Sequence, residues 1–272
     1  MKGMGVEYLI RGFNATIGYY GIFEKERRSY KMNVFIKFVG FPVRIFLPLV
    51  LWAIVAQASS SAQDFLYYAI YYVGVFVITL MYPYTRISVQ TVASEILNGD
   101  LIRYIARGIP YWSVRLADWL SAILYYLGTV VVLYVIVAKT VMQNISFLHM
   151  VQFFIALFIG SLIQLVLWVM VGMSAFLLER VQGIARIYMV TQDLSTGALI
   201  PLTFLPHAIE TIASWLPFQY FVFIPLQILL GQYSFEQGLV YIGTGIVWLG
   251  VLLGISGMIW RIGLKHFIAS QA

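Results

Sequence analysis

Six stretches of this chain stay apolar for about 20 residues each, the length an α-helix needs to cross a hydrocarbon core of roughly 30 Å. They run near Phe38 to Gln57, Phe65 to Tyr84, Leu116 to Ala138, Met150 to Leu178, Ile187 to Leu205 and Gly238 to Trp260. A bilayer offers no water to bare peptide groups, so each segment must satisfy its own backbone, which a helix does. Composition agrees, with 61% hydrophobic residues and only 10% charged ones. The expected fold is an all-α integral membrane protein of six transmembrane helices. Residues 1–37 form a cytoplasmic or interfacial segment, 38–260 the six-helix membrane domain and 261–272 a cytoplasmic tail. The outer loops, Ala58 to Asp64 and Lys139 to His149, are too short to fold alone.

Charge placement orients these spans. With six crossings, every Lys and Arg except Lys139 falls on one side, which the positive-inside rule makes the cytoplasm, together with both termini. A seventh crossing would carry Arg261 and Lys265 to the other side, so six fits better. The net charge of +6 reads the same way, as topology and attraction to anionic lipid headgroups rather than nucleic-acid binding. No cleavable signal peptide is expected, because a mostly polar segment precedes the first apolar run. The absence of cysteine excludes disulfides and thiolate chemistry.

Gly197 to Gly231 is almost wholly apolar, yet Pro201, Pro206, Pro217 and Pro225 prevent it from being one helix. A membrane holds such a segment as short pieces buried in protein or lining a cavity. Trp215 to Leu230, about 16 residues long, is expected to be re-entrant or surface-lying rather than spanning. At the other end of the chain, Leu9, Phe13, Ile17 and Tyr20 recur at near-helical spacing before a basic run. They predict an amphipathic helix along the cytoplasmic membrane surface.

The connection from Arg86 to Arg115 is the longest on the cytoplasmic side. Between Val92 and Gly108, Leu97, Leu101, Tyr104 and Ile105 share one helical face. Glu95, Gly99, Asp100, Arg103 and Arg107 share the other, with Ile96 as the exception. Two readings stand: a single amphipathic helix, or two short helices broken at Asn98-Gly99-Asp100. Either one presents a compact polar surface.

Asp193 falls inside the fifth apolar run with Gln192, Ser195 and Thr196 around it. A carboxylate in the membrane is costly and is expected to face the bundle interior or a water-filled cavity. It marks either a polar patch on a pathway or subunit interface, or a buried aspartate bonded to a neighbouring helix. The tyrosines Tyr67, Tyr68, Tyr71 and Tyr72 are read as interface or lipid-facing residues.

Several chemistries lack their residues. There is no Gly-x-x-x-x-Gly-Lys-[Ser/Thr] loop and no Gly-Lys dipeptide, so any ATP dependence must come from a partner. His207-Ala-Ile-Glu210 has no second histidine at helical spacing and is not a metal pair; no metal site is expected. Gly172-Met173-Ser174 lacks the surroundings of a hydrolase nucleophile.

Glu95-Ile-Leu-Asn-Gly99-Asp-Leu101 followed by Pro110, then Gly197-Ala-Leu-Ile-Pro201, Pro206, Leu216-Pro-Phe218-x-Tyr220, Pro225 and Leu230-Gly231, resemble the permease subunits of type-2 ABC exporters. The likeness is to the six-span branch with a separate ATPase subunit, and it covers nearly the whole chain. The resemblance implies a coupling helix between helices two and three that docks on the ATPase, carried by Glu95, Gly99, Asp100, Leu101, Arg103 and Arg107. It implies re-entrant helices between helices five and six that close the outer end of the pathway, including Pro206, Pro217, Phe218, Tyr220, Pro225 and Gly231. It places Asp193, Gln192, Ser195 and Thr196 beside the pathway or a partner permease.

The expected function is therefore a multi-pass permease subunit of an ATP-driven exporter in the plasma (inner) membrane of a prokaryote. It is not an enzyme on its own. It pairs with a second permease, identical or homologous, among membrane lipids, and with two copies of a cytosolic ATPase that carry ATP and Mg. Two rivals remain: a secondary transporter or channel using Asp193, and a lipid-acting membrane enzyme, for which the needed cluster of His and carboxylates is missing. No residue pattern selects a substrate.

Overall fold

The computed structural model describes residues 2–29, 62–81, 89–140 and 147–271, with single positions at 40, 46, 48, 50, 51, 53 and 54. Most of the first expected span, Phe38 to Gln57, lies outside the described residues, as does Arg86. Among the described residues every regular element is helical. The helices are α1 (Lys2–Ser29), α2 (Ala62–Met81), α3 (Val89–Leu97), α4 (Ile102–Ala106), α5 (Tyr111–Thr140), α6 (Phe147–Met173), α7 (Gln182–Ser195), α8 (His207–Trp215), α9 (Phe223–Leu229) and α10 (Phe235–Gln271). Short 3-10 turns at Ser174–Phe176, Leu202–Phe204 and Pro217–Tyr220 join some of them.

Three of the described helices are long and apolar enough to cross a membrane, over Tyr111–Val132, Phe147–Phe176 and Phe235–Ala269. A shorter apolar helix covers Tyr67–Thr79. These match four of the expected runs. The fifth differs: Ile187 to Leu205 is not one helix, because α7 stops at Ser195 after 14 residues, roughly 21 Å of rise. Gly197 then takes φ +75, a left-handed conformation that ends the helix, and Pro201 holds φ −51 in extended backbone. Asp193 consequently sits in the last turn of α7 rather than mid-span.

The core sits around α6, which buries residues on most of its faces, from Gln152 to Met173. α10 packs along it, while α9 and the turn at Pro217–Tyr220 press into its middle. That contact depends on Gly160: a Cβ there would run into the carbonyl of Tyr220. All seven residues of α9 are buried, so the proline-broken segment is folded into the protein as short pieces, as its prolines require. α8 is the outlying piece, with Ile209, Ile212 and Trp215 exposed.

The N-terminal helix is present, and it lies along α5. Thr16 Oγ1 donates to the Ser113 carbonyl at 3.3 Å, and Arg27 reaches Asp118 farther up the same helix. Phe13 and Ile17 point away from the protein while Tyr20 is half-buried.

Candidate functional site

The loop from 89 to 110 is braced from inside. Val89, Val92, Ala93 and Ile96 on α3 are buried, and a Cβ on Gly172 of α6 would sit 2.5 Å from Val92 Cβ, so the two helices touch where α6 has no side chain. α3 ends at a turn in which Gly99 adopts φ +76, its amide donating to the Ile96 carbonyl at 3.1 Å. The Leu101 amide reaches back to the Glu95 carbonyl at 3.0 Å. α4 then closes on Gly108, with Ile109 donating to the Tyr104 carbonyl at 2.9 Å and Gly108 to Ile105 at 3.0 Å. Of the two sequence readings, the pair of short helices is the one observed.

This break redistributes the faces. Leu101 is fully buried, and Ile96 joins it inside. Leu97, Ile102 and Ile105 are exposed, against the expectation that Leu97 and Ile105 would share an apolar face with Leu101. Asp100 and Arg103 stand outside as an exposed pair at 3.2 Å, with Arg107 one turn on. Glu95 does not share their exposure. Its carboxylate accepts from Tyr111 Oη at 2.6 Å, Arg115 Nη2 at 3.0 Å and Tyr104 Oη at 3.3 Å. The Glu95 side chain is 13% exposed and that of Arg115 4%, which makes this a nearly buried, charge-assisted cluster. Arg115 also lies 5.1 Å over the Tyr111 ring, and that ring stacks on Trp260 of α10 at 5.2 Å. Burial, then the nearby Glu95 charge, raises the Tyr104 phenol above its ordinary range.

A second polar clamp joins α1 to α5. Arg27 Nη2 meets Asp118 Oδ1 at 2.5 Å and its carbonyl at 2.8 Å, while Arg27 Nε donates to Ser121 Oγ at 2.8 Å. Burial lowers the Arg27 pKa, with Asp118 pulling the other way. Asp118 is 1% exposed and lies in the third apolar run, so the cost that singles out Asp193 in the sequence applied to it as well. Tyr111, Arg115 and Asp118 are the neighbours that sequence reasoning missed; for Asp118 alone, a charge inside an apolar run is an available signal.

At α7 the expected polar patch is split. Gln192, Ser195 and Thr196 are buried, whereas Asp193 is exposed beside Val190 and Leu194 and has no hydrogen bond or ion pair among the described residues. Gln192 Oε1 is buried without a hydrogen-bond partner among the described residues.

Beyond α7 the broken backbone is satisfied by α2. Tyr71 Oη donates to the Gly197 carbonyl and Tyr72 Oη to the Leu199 carbonyl, both at 2.8 Å, and the Phe223 amide donates to the Thr196 carbonyl at 3.2 Å. Tyr67 Oη reaches Gln227 Oε1 on α9 at 2.9 Å. Tyr71 and Tyr72 are thus buried bolts, not lipid-facing aromatics. Of the re-entrant residues, Pro217, Phe218, Tyr220 and Pro225 are buried, Tyr220 bonding Thr244 of α10 at 2.5 Å. Pro206 precedes α8 in the open, and Gly231 closes α9 at φ +66. Among the described residues no group of His, Cys, Asp or Glu is placed to hold a metal.

A family model described as ABC-2 family transporter protein matches residues 43–271 of the chain. No curated protein and no solved structure matches it.

Proposed function

The chain belongs to the ABC-2 family of transporter proteins, and so is a membrane permease of an ABC transporter; we propose that it is the six-span subunit of an exporter that takes its energy from a separate cytosolic ATPase. The observation that carries this reading is the loop from 89 to 110. Its polar tip, Asp100, Arg103 and Arg107, is exposed, while its base is pinned into α5 and α6. A loop that only connected two spans has no need of a rigid base beneath an exposed charged tip. The tip docks on the ATPase, and Glu95 and Leu101, being inside, hold the tip in place rather than touching the partner.

Two permease chains, identical or homologous, form the pathway with two ATPase copies in a prokaryotic plasma membrane. Both termini and the tip face the cytoplasm, consistent with the bias of Lys and Arg. The exposed face of α7, where Asp193 stands among Val190 and Leu194, meets the second permease. The segment from Pro206 to Gly231 closes the outer end. ATP and Mg act on the partner, whose closure moves the tip; a partner can bias the permease only by contacts that differ between the two states.

The test is to purify the chain from its native membrane in mild detergent, identify what accompanies it, and assay ATP hydrolysis and transport. Recovery of a cytosolic ATPase supports the reading. Recovery of the chain alone, active in a gradient-driven assay that Asp193→Asn abolishes, overturns it in favour of secondary transport.

A further inference from the structure

The end of α1 and α5 line a half-open cavity of about 660 Å³ that the transport reading leaves without a role. α1 contributes Lys25 and Arg28 to its lining, with Glu24 and Tyr20; α5 contributes Leu124 and Tyr125. Arg27 is turned the other way, spent on Asp118 and Ser121. Lys25 has no ionic partner among the described residues. Arg28 pairs with Glu24 at 2.6 Å, but its side chain is 71% exposed, and an exposed i,i+4 pair of this kind is weak and readily shared. The lining therefore carries one net positive charge and several hydroxyl donors.

Its depth is set by α5. Lys139 marks the far side of this span, and about 20 residues of helix cross the hydrocarbon, so counting back from Lys139 puts the near boundary at about Trp119. Leu124 and Tyr125 then lie about 8–9 Å inside the hydrocarbon, and the long Lys25 and Arg28 side chains lining the same cavity are of a kind that extends its charged end toward the headgroups. An apolar stripe leads away from the cavity along α5. Leu124, Gly128, Val131 and Val135 are exposed at intervals of four, three and four residues, one face of a helix. Among the described residues nothing lies within 4 Å of where a Gly128 Cβ would be, so the stripe has a slot in it.

We propose that this cavity binds the headgroup phosphate of an anionic phospholipid, with an acyl chain lying along the stripe from Leu124 to Val135. The site takes an anion because its surplus charge is positive, and a lipid because the pocket opens onto an apolar track at the membrane boundary. A zwitterionic headgroup would bring its ammonium against Lys25. The placement rests on the cytoplasmic orientation proposed above.

The test uses the purified full-length protein with whatever partners accompany it. Binding of short-chain phosphatidylglycerol, short-chain phosphatidylcholine and inorganic phosphate is measured by native mass spectrometry. Phosphatidylglycerol is expected to bind roughly fivefold tighter than phosphatidylcholine, the order that one net positive charge supplies. Lys25→Ala with Arg28→Ala should erase that ratio. Gly128→Trp, which fills the slot without touching the headgroup residues, should weaken the phospholipid several-fold. Equal binding of the two lipids overturns the proposal, as does a preference that survives the double substitution. Inorganic phosphate binding as tightly as phosphatidylglycerol, indifferent to Gly128→Trp, makes the site one for free phosphate and overturns the lipid. Because the chain has no cysteine, Ser29→Cys labelling of sealed cells tests the orientation separately: labelling from outside sinks the cytoplasmic placement whatever the lipids do.

Discussion

Removing the Glu95 carboxylate isolates one question, whether the loop is anchored by charge or by packing. Glu95→Ala leaves the Arg115 guanidinium, 4% exposed, without its counter-charge and strips the acceptor from Tyr111 Oη at 2.6 Å. Breaking a buried pair by deleting one partner costs about 3–5 kcal/mol. Glu95 keeps some water at 13% exposure, which puts the expectation at the lower end, about 3 kcal/mol. For a chain of this size that is an apparent melting shift of roughly 6–12 °C. The decisive variant is the double one. Glu95→Ala with Arg115→Met replaces the orphaned cation by an apolar side chain of similar length, and buried ion pairs exchanged for apolar groups are often neutral or better. The double variant should therefore recover most of the loss, a coupling of about 2 kcal/mol across the cycle. The assay is thermal unfolding of the detergent-purified protein, read by the loss of monodisperse material. If the double variant melts as low as Glu95→Ala, the carboxylate is not neutralising Arg115 and the anchoring argument fails.

Three further outcomes follow from the same geometry. Tyr71→Phe and Tyr72→Phe each leave a helix-break carbonyl without its donor and should each cost about 1–2 kcal/mol, read as a lowered melting temperature; no change would mean water or another donor serves Gly197 and Leu199. Gly160→Ala puts a methyl group into the Tyr220 carbonyl and should sharply lower the yield of folded protein, whereas an unchanged yield would show that the turn at Pro217–Tyr220 can move aside. Alanine at Asp100, Arg103 and Arg107 together should leave stability within about 0.5 kcal/mol, since all three are exposed, while separating ATP hydrolysis from transport in the reconstituted complex; transport at the parent rate would remove the tip from the coupling role.

How far the sequence could be read depended on the range of the interaction concerned. α5, α6 and α10 announced themselves by length and apolarity, because crossing a bilayer is a local requirement on one segment. The turn at Gly99 was visible as one of two readings, because Asn-Gly-Asp is a local breaker. The end of α7 was only partly visible: Pro201 marks a break in the sequence, but Ile187 to Leu205 is apolar enough to span, and the left-handed Gly197 with extended Pro201 ends the helix before it can. The burial of Glu95 was hidden for a different reason. Helical periodicity put it with Asp100 and Arg103, but Tyr111 and Arg115, 16 and 20 residues away, drew it inside. Tyr71 and Tyr72 find their carbonyls 126 and 127 residues on, and no local pattern predicts such a bond.

Where the polar bonds fall also decides which parts of the permease move together. Between apolar helices in a membrane the driving force for any one register is small, since lipid solvates a leucine as well as a neighbouring helix does, so directional bonds fix geometry. Apart from the bonds that tie α10 to α6 through Gln152 and to the turn through Tyr220, the bonds among the described residues fall in two main groups. One ties α3 and α4 to α5 through Glu95, and α5 to α1 through Arg27 and Asp118. The other ties α2 to the segment after α7 and to α9 through Tyr67, Tyr71 and Tyr72. The groups touch where α2 packs on α5, and α6 also lies between them, meeting α3 at Gly172 and the turn at Pro217–Tyr220 at Gly160 through close apolar or backbone contact. A displacement of the loop tip thus drags α5 and α1 with it, because breaking either clamp would strand a nearly buried charge. It meets the second group along the α5–α2 contact and across α6, where close surfaces slide at lower cost than ion pairs break.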